Sequence, residues 1–241
     1  MTATKLIKFP TTPHLVWLGQ KPLREDKLMA ASQAEEFLRA PITVEEKVDG
    51  ANIGFSTDHA GCLRVQNRGH FVTPETKGQF SNLWYWLSTR RNQLSDVLRD
   101  RLILFGEWCY ARHSIHYTRL PDWFLAFDVF DKQEKRFINS YGRDEVVRQL
   151  GLSSVPKVAS GLFTVPKLLS LLTRSSLYDG PMEGIYLRRE SASWLLERAK
   201  IVRAEFVQEI GEHWSNRPLI PNQLSLEQTS RQTPTTEPKH R

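Results

Sequence analysis

The spacing of apolar residues predicts a chain that mixes short helices with strands. Ser32 and Glu35 have the spacing of a capping box ahead of two apolar residues, which predicts a first helix that stops at Pro41. From residue 42 the pattern changes to that of strands. Strands are predicted over Ile42 to Lys47, Ala51 to Ser56, Cys62 to Gln66, Leu102 to Cys109, Trp123 to Phe130, Gly184 to Arg188 and Lys200 to Phe206.

Further helices are predicted between these strands. The longest covers residues 79–99, one covers about 140–150 and ends at Gly151, and Pro166 opens a short one over 167–172. This mixed order favours an α+β fold with mainly antiparallel sheets. Residues 222–241 are rich in Gln, Thr, Ser and Pro, so we expect one domain over 1–218 and a disordered tail over 219–241.

Composition narrows the class of protein. Two cysteines, Cys62 and Cys109, provide no disulfide framework, and no signal-peptide or membrane-spanning apolar run is present. We therefore expect a cytoplasmic protein without a membrane partner. The net charge of +6 fits an anionic partner such as nucleic acid, although a generically basic protein has the same charge.

Five segments, in order, contain the residue types that a covalent nucleotidyltransferase requires. A lone Lys-x-Asp-Gly is usually a strand that runs into a turn, so the set carries more weight than any member. Together the segments supply a candidate nucleophile, two glutamates on apolar strands, an aromatic ring and a basic strand. They are Glu46-Lys47-Val48-Asp49-Gly50, Phe105-Gly106-Glu107-Trp108, Phe127-Asp128-Val129-Phe130, Glu183-Gly184-Ile185 and Arg198-Ala199-Lys200-Ile201-Val202-Arg203.

The set resembles the lysyl-AMP superfamily of polynucleotide ligases and capping enzymes. Within it, the likeness is greatest to the ATP-dependent RNA ligases of the nick-sealing phage and bacterial type, and it covers roughly residues 9–215. The resemblance implies an ATP-grasp-like adenylation domain, a nucleotidyltransferase fold with mainly antiparallel sheets flanked by helices. Many relatives add a C-terminal domain, whereas too few residues follow Trp214 for one, so we expect a bare catalytic domain.

The resemblance implies that Lys47 takes AMP from ATP as a phosphoramidate. A lysine is a poor nucleophile until burial, nearby cations or a polarised phosphate lower its pKa. Asp49, Gly50 and Asn52 lie at the turn that follows. Glu46 corresponds to a glutamate tied to the nucleotide pocket; it points to the opposite strand face from Lys47, and Glu45 is its rival.

The other segments are expected to bind the nucleotide. The resemblance implies that Arg68, which follows the second strand, reaches the ribose or a nucleic-acid phosphate. Alternation puts Leu125, Phe127 and Val129 on one strand face, and the family places an aromatic ring at Phe127 against adenine. Arg198 and Lys200 correspond to a pattern that is usually Lys-x-Lys, with Lys200 on the α-phosphate; Arg203 is an extra phosphate or strand contact.

Asp49, Glu107 and Glu183 are expected to form the acidic side of an ATP site with Mg²⁺ (or Mn²⁺). By contrast, His113 and His116 have no Cys or acidic neighbours, which predicts a loop near substrate and not a zinc site.

The resemblance implies an ATP-dependent RNA ligase that joins 5′-phosphate and 3′-hydroxyl ends, including those of nicked duplexes, through lysyl-AMP and an adenylylated end. The alternatives are a DNA ligase, an end-adenylylating enzyme, a capping guanylyltransferase that uses GTP, or a nucleic-acid-binding module without turnover. An end-healing kinase-phosphatase is an expected partner.

Overall fold

The computed structural model describes residues 6–20, 22–24, 27–208 and 219–225. The helices are α1 (Ala31–Leu38), α2 (Leu83–Ser88), α3 (Arg91–Leu98), α4 (Ser140–Gln149), α5 (Val165–Ser170) and α6 (Ala204–Gln208). The strands are β1 (Ile42–Lys47), β2 (Ala51–Thr57), β3 (Leu63–Gln66), β4 (Phe71–Val72), β5 (Leu102–Trp108), β6 (Phe124–Asp131), β7 (Arg136–Phe137), β8 (Ser153–Ser154), β9 (Lys157–Gly161), β10 (Gly184–Glu190) and β11 (Leu195–Val202).

The strands form two sheets, and the predicted α+β architecture with mainly antiparallel pairing is confirmed. The smaller sheet has the order β11-β10-β1-β9. The larger has the order β4-β3-β2-β5-β6-β7, with β8 paired in parallel to β6. Because β1 and β2 lie in different sheets, the turn at Asp49-Gly50 carries the chain from one sheet to the other.

Each sheet is covered by helices on one face. Ile53 and Phe55 of the larger sheet share a buried cluster with Leu83 and Leu94 of α2 and α3. In the smaller sheet, residues such as Val44 pack against α1 and α5 in a second cluster. Side chains alternate along a strand, so the residues between these positions face the space between the sheets.

Three predicted elements differ in the structure. The helix predicted over residues 79–99 is broken into a 3₁₀ turn, α2 and α3, because the chain turns where the Arg90 N–H bonds to the Leu87 carbonyl at 3.0 Å. The strand predicted over Lys200 to Phe206 instead ends at residue 202, and α6 follows. Helix α1 begins after Ala30 without a side-chain cap, so the predicted capping box does not form.

Part of the predicted tail is packed against the domain. Residues 219–225 form bridges at Pro221 with Ala111 and at Leu224 with Leu120. Residues 226–241 lie outside the described residues, and the domain division stays a prediction. None of the described helices is long and apolar enough to cross a membrane.

Gly106 in β5 allows a close approach between β5 and β6. A Cβ there would lie 2.4 Å from the Phe124 ring and 2.5 Å from the Leu125 carbonyl oxygen. We expect Gly106→Ala to lower the free energy of unfolding by about 1–3 kcal/mol, measured by urea denaturation, because both neighbours are buried.

Gly69→Ala is the control, because a Cβ there has only the Asn67 Oδ1 atom, at 4.0 Å. This variant should change the free energy of unfolding by less than about 0.5 kcal/mol. Equal destabilisation by the two variants would contradict the packing argument.

Candidate active site

A cavity between the two sheets collects most of the predicted site residues. In the smaller sheet, Glu45 pairs with Tyr186, which pairs in turn with Lys200, so their side chains share one face. Lys47 lies two residues farther along the same face. The cavity is lined by Phe9, Pro10, Thr11, Thr12, Glu45, Glu46, Lys47, Val48, Asn52, Arg68, Glu107, Phe127, Val155, Tyr186 and Lys200.

Lys47, the predicted nucleophile, is paired with Glu183. Its Nζ lies 2.6 Å from both carboxylate oxygens, because Lys47 ends β1 directly opposite Gly184 on β10. Burial by itself lowers the pKa of Lys47, but the carboxylates of Glu183, Asp49 and Glu107 outweigh it and raise the pKa above its usual value. The lysine is therefore charged in the ligand-free protein, contrary to the lowered pKa that a nucleophile needs.

Glu107 on β5 is a buried acid of the site whose carboxylate lacks part of its hydrogen bonding. Its Oε2 atom is buried and has no hydrogen-bond partner among the described residues. Burial, together with the nearby acids Asp49 and Glu183, raises its pKa to about 8, against the opposing effect of Lys47 and Arg68. A cation or a hydroxyl donor placed there would supply the missing interaction.

Asp49 is held by the loop that follows β5. One carboxylate oxygen accepts the N–H groups of Ser114 at 2.7 Å and Ile115 at 3.2 Å, and its own N–H donates to the Tyr117 hydroxyl at 2.9 Å. Burial raises the pKa of Asp49, but His113, Lys47 and Ser114 outweigh this and lower it overall. Its carboxylate is thus ionised and anchors the turn.

Gly50, Asn52 and Arg68 border an open extension of the cavity next to Lys47. A Cβ at Gly50 would lie 2.9 Å from the Trp108 carbonyl oxygen, so glycine lets the turn approach the end of β5. Asn52 pairs with Glu107 across β2 and β5 and is buried. Arg68 is exposed on a loop, free to reach an anionic ligand.

Phe127 lines the cavity because β6 has a bulge at this residue. In the pairing with β5, Phe105 is opposite Asp128 and Gly106 is opposite Ala126, which leaves Phe127 without a partner. The bulge reverses the alternation beyond it, so Val129 lies in the core of the larger sheet. The prediction that Leu125, Phe127 and Val129 share one face is wrong for Val129.

Two buried arginines hold this bulge. The Phe127 carbonyl accepts hydrogen bonds from Arg143 of α4 at 2.9 Å and from Arg188 of β10 at 3.0 Å. Arg188 also bonds to Asp128 at 2.7 Å, and Arg143 lies 2.7 Å from Glu45. The charges therefore join β6 to the smaller sheet beneath the cavity.

Lys200 is held next to the N-terminal segment. Its N–H donates to the Pro13 carbonyl at 3.0 Å, and its carbonyl accepts the Leu15 N–H at 2.8 Å. Burial, followed by the charge of Lys47, lowers its pKa to about 8. Burial, followed by the charges of Lys200, Lys47 and Lys27, lowers the pKa of His14 to about 4.

Glu46 and Arg198 have other contacts. Glu46 borders the cavity, but its carboxylate points to the opposite face, where it accepts hydrogen bonds from Ser175 and Ser176. Glu45, its rival in the sequence, faces the cavity. Arg198 does not line the cavity: its guanidinium is 3.1 Å from Asp128 and stacks over Phe137 at 4.0 Å, and its assignment to the nucleotide stays a prediction.

Arg203 likewise has protein partners, the Leu172 carbonyl at 2.9 Å and Glu205 at 3.0 Å. Arg203 follows β11, so its placement in the strand predicted over Lys200 to Phe206 is wrong.

The acidic residues do not form a preformed chelating cluster. Among the described residues, no three His, Cys, Asp or Glu side chains are placed to hold a metal ion. The expectation that Asp49, Glu107 and Glu183 form the acidic side of an ATP site with Mg²⁺ stays a prediction. The unpartnered Glu107 oxygen still fits a divalent cation that keeps most of its water, as Mg²⁺ does.

Several lining residues were missed by sequence reasoning. Tyr186 lines the cavity, and Phe9 packs edge-on against Phe127 with ring centroids 5.0 Å apart. Tyr186 could have been found from its position, because side chains alternate along the strand and it lies two residues after Gly184. Phe9 and Thr12 carried no local signal, because their loop reaches the cavity only in the folded chain.

A family model described as RNA ligase matches residues 40–202. This range contains Lys47, Glu107, Phe127, Glu183 and Lys200. The chain belongs to the RNA ligase family.

Solved structures of an RNA ligase have the same fold. A point mutant of Naegleria gruberi RNA ligase with ATP and Mn matches with a TM-score of 0.62 at 19% identity and covers 85% of this chain and 58% of that one. The same ligase with PPi matches with a TM-score of 0.59 at 20% identity, covering 87% and 62%.

Another point mutant of the Naegleria enzyme, with AMP and Mn, matches with a TM-score of 0.55 at 17% identity and covers 84% and 63%. This member of the RNA ligase family thus spans less than two thirds of the proteins it matches. A search of curated proteins found no match.

Glu107→Gln should stabilise the ligand-free protein more at high pH than at low pH. The folded-state pKa of Glu107 is raised from 4.5 to about 8, so its contribution to stability is complete below about pH 4.5 and is lost as the pH rises through 8. At pH 8.5 we expect the melting temperature of the variant to exceed that of the wild type by about 2–4 °C for each kcal/mol of destabilisation that the substitution removes. The difference should shrink at pH 5.

Thermal unfolding at both pH values measures this difference, with Glu134→Gln as a control at an exposed position. A melting-temperature difference that is the same at pH 5 and pH 8.5 would show that the pKa of Glu107 is not raised in the folded protein.

Proposed function

We propose that this chain is an ATP-dependent RNA ligase that acts through a covalent Lys47–AMP intermediate. The observation that carries the proposal is the contact of Lys47 with Glu183 in a cavity that also holds Phe127, Glu107 and Lys200. A protein that only bound nucleic acid would not need a lysine enclosed by three carboxylates.

In the first step, the unprotonated Nζ of Lys47 attacks the α-phosphorus of ATP. A nitrogen–phosphorus bond forms, the bond to the β-phosphate oxygen breaks, and pyrophosphate leaves. Lys47 must first lose a proton, and Glu183, at 2.6 Å and with a pKa raised by burial, is positioned to accept it.

The remaining cavity residues bind and orient the nucleotide. The Phe127 ring stacks on adenine, which is worth about 1–3 kcal/mol. Lys200 and Arg68 bring positive charge to the phosphates, where negative charge develops during the transfer. Asn52 and Glu107 offer polar atoms to the ribose or to a hydrated cation.

A divalent cation, Mg²⁺ or Mn²⁺, would be held beside the unpartnered Oε2 of Glu107. It would neutralise phosphate charge and reduce the attraction of Glu107 for the Lys47 proton. Asp49 contributes negative charge nearby while it anchors its loop.

The similar structures support this assignment. The Naegleria ligase structures contain ATP with Mn, AMP with Mn, and PPi. ATP is the substrate of the proposed first step, and pyrophosphate is its leaving group, so the shared fold is consistent with the same nucleotide chemistry.

Two further transfers complete the proposed reaction. AMP passes from Lys47 to a 5′-phosphate, and a 3′-hydroxyl then attacks the activated end and releases AMP. Each is a phosphoryl transfer, so the work of the protein is to position groups and neutralise charge. RNA ends, including those of nicked duplexes, are the proposed substrate, in the cytoplasm and with an end-healing kinase-phosphatase as partner.

Incubation with α-labelled ATP and Mg²⁺ tests the proposal directly. Protein first stripped of bound AMP should become labelled, whereas α-labelled GTP should not label it. The absence of an adduct with ATP would contradict the ligase assignment, and labelling by GTP alone would favour a capping guanylyltransferase.

Replacing the two lysines should separate the steps. Lys47→Ala should abolish the adduct yet retain sealing of a pre-adenylylated strand, because the last step needs no lysine nucleophile. Lys200→Ala should reduce both activities by about 10²–10³-fold, the usual effect of removing a charge that stabilises the transition state.

Lys157→Ala, at an exposed position on β9, is the matched control and should leave both assays unchanged. Adduct formation by Lys47→Ala would show that another residue is the nucleophile.

Nicked duplexes should distinguish RNA ligase from DNA ligase activity. We expect faster sealing when the strand with the 3′-hydroxyl is RNA than when it is DNA, measured with the same 5′-phosphate strand. Equal or faster sealing of the DNA nick would favour a DNA ligase, and adenylylated ends that never join would favour an end-adenylylating enzyme.

A further inference from the structure

Residues 219–225, here called the C-terminal strap, lie along the loop of residues 109–120 that follows β5. Backbone hydrogen bonds join the two segments along their length. They are Arg112 N–H to Ile220 O (2.8 Å), Asn222 N–H to Tyr110 O (2.9 Å), Gln223 N–H to Tyr117 O (2.9 Å), Leu120 N–H to Gln223 O (3.1 Å) and Ser225 N–H to Leu120 O (2.8 Å).

Asn222 is the side chain that enters the loop. It is buried, with 3% of its surface exposed. Its Oδ1 accepts the Tyr117 N–H at 2.9 Å, and its Nδ2 donates to the Cys109 carbonyl at 2.8 Å and to the Ala111 carbonyl at 3.3 Å. One carboxamide therefore satisfies three backbone groups from both ends of the loop.

The opposite side of the same loop contacts the turn after Lys47. Ser114 and Ile115 donate their N–H groups to the Asp49 carboxylate, and the Tyr117 hydroxyl accepts the Asp49 N–H. Tyr117 thus lies between the two: its backbone bonds to Asn222, and its side chain bonds to Asp49.

We propose that the C-terminal strap is a positioning element of the active site, in which Asn222 fixes the 109–120 loop and the loop fixes Asp49 beside Lys47. This role rests on the proposed function for its catalytic consequence, while the contacts themselves belong to the ligand-free protein. The strap does not line the nucleotide cavity, so its effect is on the geometry at Lys47 and not on adenine binding.

Asn222 is suited to this role by its chemistry. Only a carboxamide offers one acceptor and two donors in a fixed plane, as the Tyr117 N–H and the two carbonyls require. Asn222→Ala leaves these buried groups unpaired, and Asn222→Asp replaces both donors with an oxygen that faces two carbonyl oxygens.

Two truncated chains test the strap as a unit. A chain that ends at Ser225 keeps the strap and should form the lysyl-AMP adduct at the rate of the full chain. A chain that ends at residue 218 lacks the strap and should form it about 10- to 100-fold more slowly, as expected when a reacting group is misplaced. Equal rates for the two chains would overturn the proposal.

Single substitutions keep the test decisive if the shorter chain does not fold. Asn222→Ala should lower the adduct rate at saturating ATP about 10-fold or more and leave the KM for ATP unchanged. Gln223→Ala is the matched control, because its side chain is exposed and only its backbone bonds to the loop. A rise in the KM for ATP in parallel with the fall in rate, or an unchanged rate, would overturn the positioning role.

Hydrogen exchange separates this inference from the proposed function. In Asn222→Ala, but not in Gln223→Ala, the amides of residues 114, 115 and 49 should exchange faster in the ligand-free protein. A wild-type chain that forms no adduct would contradict the proposed function alone, whereas unchanged exchange at these amides would contradict the coupling of strap and loop.

Discussion

The ion pair between Arg188 and Asp128 is the interaction on which the cavity depends, because it joins the two sheets. Both side chains are fully buried, and the nitrogen and oxygen are 2.7 Å apart. Burying charges is costly, but removing one partner costs more, since the other is left uncompensated. The same guanidinium donates a hydrogen bond to the Phe127 carbonyl. Arg188 therefore joins the two sheets and also fixes the backbone that carries the Phe127 ring at the cavity.

Above this network, the site concentrates opposing charges around Lys47. Glu183 keeps the lysine protonated, and Glu107, with an unpartnered oxygen, is kept largely neutral by burial up to a pH of about 8. Such an arrangement is unfavourable for the ligand-free protein and favourable for binding a nucleotide with a divalent cation, which would supply the missing partners. Lys47, the proposed nucleophile, is therefore charged in this arrangement.

The sequence predicted most of the strands and the segments that meet in the cavity. Lys47, Glu107, Phe127, Glu183 and Lys200 were all found by residue type and order, and the structure brings them together. The helix predicted over 79–99 is broken by a local turn at residues 87–90. Residues 219–225, predicted as part of a tail, pack against the loop that follows β5, and this outcome depends on partners distant in the chain.

Local sequence by itself determined the residue types of the candidate site: a lysine before a tight turn, acids on apolar strands, and a basic final strand. Only the tertiary structure decided which side chains face the cavity. The bulge at Phe127 reverses the alternation of β6, and it is held by an arginine 61 residues away. Asn222 reaches Tyr117 across 105 residues. Periodicity cannot report such contacts, because it describes neighbours along the chain, whereas a bulge or a strap is stabilised by groups that only folding brings near.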